Sequence, residues 1–144
     1  MPLSAIHILL VEDSAADVRL ISEALRDSTL VNRVTVAKDG LDALAVLHRE
    51  GAHAAVTRPD LILLDLNLPK RSGRTVLAEI KQDPNLKCIP VVVLTSSSAE
   101  DDILQSYNLH ANCCITKPME LANFMKMVKA VESFWAGTVR LPPK

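Results

Sequence analysis

No apolar run in this chain approaches the roughly 18–20 residues that a helix needs to cross a bilayer. The opening stretch MPLSAIHILLVEDS has no basic region ahead of its apolar residues and meets acid at once, so no signal peptide is expected. Cysteine is scarce and poorly placed for structural use. Cys88, Cys113 and Cys114 are odd in number and two of them are adjacent, a poor disulfide framework, and no C-x-x-C spacing or Cys/His cluster points to zinc. His7, His48, His53 and His110 are scattered, as surface or internally satisfied histidines are. A reducing, cytoplasmic compartment is expected. Neither charge sign dominates: the formal net charge is -1, so the usual electrostatic footprint of nucleic-acid binding is missing. The four glycines, Gly40, Gly51, Gly73 and Gly137, form no G-x-G-x-x-G and no P-loop, which argues against a nucleotide cradle. There are no internal repeats and no low-complexity segment.

What is present reads as one ordered domain. The chain has 144 residues, 49% of them hydrophobic and 23% charged, enough to bury a core without staples. Apolar residues alternate between two kinds of pattern. AIHILLVE (5–12) reads as a strand, and Ser14 then caps a helix of about 14–27, with Val18, Ile21 and Leu25 at helical spacing. NRVTVAKDG (32–40) alternates as a strand does and ends in Asp39-Gly40, read as a turn; Leu41, Leu44 and Leu47 continue as a helix to about Glu50. A small-residue loop (51–59) leads to the third strand, DLILLDL. PKRSG (69–73) reads as a turn, followed by a short helix through Val76, Leu77 and Ile80. IPVVVLTS (89–96) is the fourth strand, and a capping box at Ser98 to Asp101 starts a helix to about Asn108. NCCIT (112–116) is a weaker fifth strand, and Leu121 to Trp135 form a last amphipathic helix before the tail 136–144.

Five βα units, with near-continuous apolar runs in strands one, three and four, predict a parallel sheet covered by helices on both faces: an α/β, doubly wound, three-layer sandwich. In such sheets ligands bind beyond the carboxyl ends of the strands. Strand one ends in Glu12-Asp13, strand three in Asp65, strand four in Thr95-Ser96, and strand five runs into Lys117-Pro118. Asp65 is expected to stand exposed at its strand end. Three converging carboxylates repel and call for a cation. Oxygen donors from Asp and Glu, with positions left for water and phosphate, suit Mg²⁺. A carboxylate beside Mg²⁺ and a lysine is a plausible nucleophile toward phosphorus, with Thr95 bonding a phosphoryl oxygen. Each residue alone is commonplace; their joint arrival at one edge carries the signal.

LLVEDS, DLILLDLNLP, VVVLTSS and TKP resemble the receiver domain of two-component response regulators over residues 5 to about 135. That resemblance implies a flavodoxin-like (βα)5 fold with strand order 2-1-3-4-5. It implies Asp65 as phospho-acceptor, Asp13 as a direct Mg²⁺ ligand, Glu12 acting largely through water, and a backbone carbonyl of Asn67 on the metal. Thr95 becomes the switch hydroxyl, Lys117 the family's lysine, and Pro118 the site of a cis peptide bond. The stretches HREGAHAAVTRPDLILLDLNLPK, LAEIKQDPNLKCIPVVVLTSS and VESFWAGTVRLP are similar to single-domain regulators paired with bacterial and cyanobacterial phytochrome histidine kinases. Such a protein is a cytosolic phosphorelay component, often a homodimer, and not an enzyme beyond its own phosphoryl acceptance and slow autodephosphorylation.

The pattern departs from the family at one position. Receivers carry Tyr or Phe three residues before the lysine, and here that residue is Cys114, whose side chain is too small to signal by ring position. Phe134 and Trp135 point about 100° apart on a helix, so Trp135 continues the apolar stripe while Phe134 is an interface candidate. Two other readings compete with a phospho-switch. A degenerate receiver would bind partners without phosphorylation, yet all charged members of the site are present. An aspartyl phosphatase would need a second carboxylate two residues after the nucleophile, where this chain has Asn67.

Overall fold

In a computed structural model of the chain, the residues described are 6–26, 32–48, 58–66, 68, 72–95 and 113–116. The helices expected at about 98–108 and 121–135 and the tail lie outside them. Among the described residues there are five strands: β1 (Ile6–Val11), β2 (Asn32–Ala37), β3 (Leu61–Asp65), β4 (Val91–Thr95) and β5 (Cys113–Thr116). Three helices among the described residues are interleaved with them: α1 (Ala15–Arg26), α2 (Gly40–Leu47) and α3 (Gly73–Gln82). The strands make one parallel sheet in the order β2-β1-β3-β4-β5, as expected.

The apolar runs are long because both faces of the sheet are covered. Successive side chains of a strand point to opposite faces, and the core divides accordingly. Leu9, Val11, Ile62, Leu64, Val91 and Val93 pack with Ala43, Leu44 and Leu47 of α2 and Val76, Leu77 and Ile80 of α3. Ile8, Leu10, Leu61, Leu63, Val92 and Leu94 pack with Ile21 and Leu25 of α1. All five residues of β3 are buried. A central strand dry on both sides cannot alternate apolar and polar residues, which is why LILL reads as an unbroken run.

Each described helix begins on a side-chain acceptor. Ser14 Oγ accepts from the Asp17 N–H at 3.3 Å, Asp39 Oδ1 from Asp42 at 2.8 Å, and Ser72 Oγ from Thr75 at 3.3 Å. Two expected turns are therefore corrected. Asp39-Gly40 is not a turn closing the second strand: β2 ends at Ala37, Asp39 is the N-cap and Gly40 the first residue of α2. Likewise Gly73 belongs to α3 behind its Ser72 cap, not to a turn. In a parallel sheet the chain must cross over after each strand, so a polar residue there starts a helix rather than a hairpin. Leu41 also leaves the expected apolar stripe of α2, being 49% exposed.

Two polar groups stitch the amino-terminal edge and the α3–β4 connection. His7 is buried, its ring nitrogen Nε2 lying 2.7 Å from Thr35 Oγ1, while its backbone N–H donates to Asp60 Oδ2 at 2.9 Å. This is the satisfied histidine that the sequence leads one to expect. Lys81 Nζ donates to the carbonyls of Lys87 and Ile89 at 3.0 and 2.9 Å. Burial lowers the pKa of Lys81 below the ordinary 10.5, against a smaller opposing effect of Cys88.

Leu64→Ala is expected to lower unfolding free energy by about 2–5 kcal/mol, measured by denaturant titration, because its site is closed on every side. The unfolded chain keeps the Lys81 proton up to about 10.5, and the folded chain releases it at lower pH. Folding stability therefore rises as pH climbs through the window below 10.5. A Lys81→Met variant should lack that part of the slope in paired unfolding curves.

Candidate phosphoryl and metal site

The ladder between β1 and β3 builds the site. Leu10 pairs with Leu63 and Val11 with Leu64, so the next residues in register are Glu12 and Asp65. Both continue the parity of Leu10 and Leu63, which face α1. Two carboxylates from separate segments thus leave the sheet side by side at its carboxyl edge. The Glu12 N–H is held by the Ala37 carbonyl at 3.0 Å, which prolongs the β1–β2 ladder past the last residue of β1. On the other side, the Leu66 N–H donates to the Leu94 carbonyl at 3.3 Å.

Asp13 completes the cluster. One carboxylate oxygen each from Glu12, Asp13 and Asp65 lie within 4.8 Å of one another. Glu12 and Asp65 are buried, at 1% and 5% exposure, while Asp13 is exposed. The expectation of an exposed Asp65 is therefore corrected: Asp65 is buried at its strand end, and of the three acids Asp13 is the exposed one. Glu12 Oε1 accepts from the Ser14 N–H at 3.2 Å, which turns that carboxylate toward the start of α1. At about 4 Å two like charges repel by about 1 kcal/mol in water and about 4 kcal/mol at an effective dielectric of 20. Three of them drawn together are a site that favours a cation. The donors are all carboxylate oxygens, the set that suits a hard divalent ion rather than zinc or copper.

The other expected site residues fall as follows. Thr95 ends β4, its backbone one position beyond Leu94, the partner of Asp65, and it pairs with Thr116 of β5. Cys114 lies within β5, paired with Val93. The side chains of Thr95 and Cys114, and the whole of Asn67, Lys117, Pro118, Phe134 and Trp135, lie outside the described residues. One residue escaped the sequence reading. Gly73, assigned there to a turn, donates its N–H to the Leu66 carbonyl at 3.0 Å, directly behind Asp65. The signal available was Ser72, a capping residue immediately before it, which marks a helix start.

Similarity to known proteins agrees with this architecture. The response regulator receiver domain family matches residues 8–129. Response regulator Rcp1 of Synechocystis sp. (strain ATCC 27184 / PCC 6803 / Kazusa) is 57% identical over 135 residues, covering 94% of this chain and 92% of that protein. Among solved structures, the phosphorylated cyanobacterial phytochrome response regulator RcpA superposes with a TM-score of 0.94 at 56% identity, over 97% of this chain and 100% of that one. The Mn²⁺-bound form of Rcp1 follows at a TM-score of 0.92 and 56% identity, over 96% and 99% of the two chains. A parallel sheet in the receiver order, an acidic cluster at its carboxyl edge and a family match over most of the chain lead to one conclusion: the protein belongs to the response regulator receiver domain family.

Proposed function

We propose that the chain is a phosphorylation switch in a two-component phosphorelay, with Asp65 as the phosphoryl acceptor and a sensor histidine kinase of the phytochrome class as donor. The observation that carries this reading is the convergence of Glu12, Asp13 and Asp65 within 4.8 Å, with Asp65 buried at the end of the central strand. A carboxylate oxygen of Asp65 attacks phosphorus of the donor phosphohistidine; the P–N bond breaks, imidazole leaves, and an acyl phosphate forms. The β3 ladder, paired with β1 and β4, holds the nucleophile in place. Thr95 and Lys117 are assigned to the phosphoryl oxygens, as hydroxyl donor and ammonium. Glu12, Asp13, Asp65 and the carbonyl of Asn67 would hold Mg²⁺, with Glu12 acting largely through water. When bound, the ion offsets the negative charge of the phosphoryl group.

Support for the phytochrome pairing comes from RcpA, which is described as a phytochrome response regulator and was crystallised phosphorylated. Support for a divalent ion comes from the Mn²⁺-bound form of Rcp1. The partner side of the switch rests on sequence alone: a homodimer using Phe134 and the tail, and a cytoplasmic setting. Among the described residues no helix is long and apolar enough to cross a membrane.

Incubation with acetyl phosphate and Mg²⁺ should raise the intact mass of the wild-type chain by one phosphoryl group, and Asp65→Asn should gain none; an unchanged wild-type mass defeats the proposal. Charge relief gives a second expectation. Asp13→Asn removes one of three like charges, so in metal-free buffer its thermal midpoint should lie above that of the wild type. Added Mg²⁺ should then raise the wild-type midpoint strongly and that of Asp13→Asn by much less.

A further inference from the structure

Gly73 opens α3 against the backbone that carries Asp65. A Cβ placed there would lie 2.3 Å from the Asp65 carbonyl oxygen, 2.6 Å from Leu66 Cα and 3.0 Å from the Leu66 carbonyl carbon. Real Cβ atoms essentially never approach closer than 3.0 Å, and ordinary contact begins near 3.4 Å. All three neighbours are backbone atoms, so no side-chain rotation relieves the clash. The glycine is required by space and not by an unusual φ. Two hydrogen bonds complete the arrangement: Gly73 N–H to the Leu66 carbonyl, and Leu66 N–H to the Leu94 carbonyl. The residue after Asp65 is thus held between the first residue of α3 and β4.

Taking Asp65 as the phosphoryl acceptor, we infer that Gly73 is a positioning residue for it, setting the distance between the Asp65 carboxylate and those of Glu12 and Asp13. The logic is geometric. Asp65 rides on β3 and the other two carboxylates follow β1. Regaining ordinary contact with a Cβ at position 73 needs a relative shift of about 1 Å, the difference between the 2.3 Å approach and the 3.4 Å contact limit. Where the shift falls on Asp65 and Leu66, Asp65 moves while Glu12 and Asp13 stay. Misplacing a reacting group by about 1 Å costs on the order of 100-fold in rate. A merely structural glycine would cost stability and leave the site intact.

The test compares the full chain as wild type, Gly73→Ala and Ser72→Ala. Ser72→Ala loosens the same helix start by removing its cap, without adding an atom against Asp65. Mn²⁺ affinity is read by titration calorimetry, and phosphoryl gain from acetyl phosphate by intact mass. Gly73→Ala should keep the wild-type circular dichroism spectrum, bind Mn²⁺ about tenfold more weakly and gain phosphoryl about 100-fold more slowly. Ser72→Ala should stay within about twofold of wild type in both, although it unfolds at lower denaturant. Gly73→Ala with wild-type Mn²⁺ affinity overturns the inference, as does an equal loss in Ser72→Ala. A wild-type chain that binds Mn²⁺ but takes no phosphoryl group would instead overturn the acceptor role of Asp65, and the calorimetric comparison would still decide on Gly73. Should Gly73→Ala fail to fold, amide exchange in the wild type decides. Mn²⁺ is expected to slow exchange of the Gly73 N–H by about tenfold or more while leaving Ile80, later in the same helix, unchanged. Equal effects at the two positions overturn the inference.

Discussion

The pairing of Val11 with Leu64 is the constraint on which the site depends. It is an ordinary parallel backbone ladder between two apolar strands, with no charged group in it. Yet it sets Glu12 and Asp65 at adjacent positions, on the same face, at the same edge. Folding thereby forces together groups that repel. The apolar burial of β1 and β3 on both faces supplies the free energy that holds them there. The acidic cluster is in this sense held together by apolar packing elsewhere in the sheet.

Burial divides the labour among the three acids. Glu12 and Asp65 are nearly closed off from solvent and Asp13 is exposed. Glu12 is also tethered at both ends, its N–H to Ala37 and its carboxylate to Ser14. A carboxylate so fixed acts as a wall of the site, whereas the exposed Asp13 forms its open side. Asp65, buried like Glu12, is the last residue of a strand paired on both sides.

Much of this was legible in the residues. Unbroken apolar runs in LILL and VVVL announced strands covered on both faces, and the acids after β1 and β3 announced the edge where chemistry would gather. The helix starts were less legible. Asp39-Gly40 and Ser72-Gly73 carry turn chemistry and capping chemistry at once, and the parallel topology decides for the capped crossover helix. The burial of Asp65 was missed for a related reason. An acid at a strand end looks solvated in sequence, because its burial depends on contacts that local sequence does not show. Gly73 was hidden too, since a glycine demanded by its neighbours' backbone looks the same as one demanded by its own φ.

The parity of β1 and β3 also restricts how such a protein can change over evolutionary time. Inserting or deleting one residue within either strand would send Glu12 or Asp65 to the opposite face and trade a core leucine for a carboxylate. Length variation is thus confined to the connections, whereas within these two strands only substitutions are admissible. Relatives could diverge widely in the segments that meet partners while the spacing from each strand's apolar run to its acid stays unchanged.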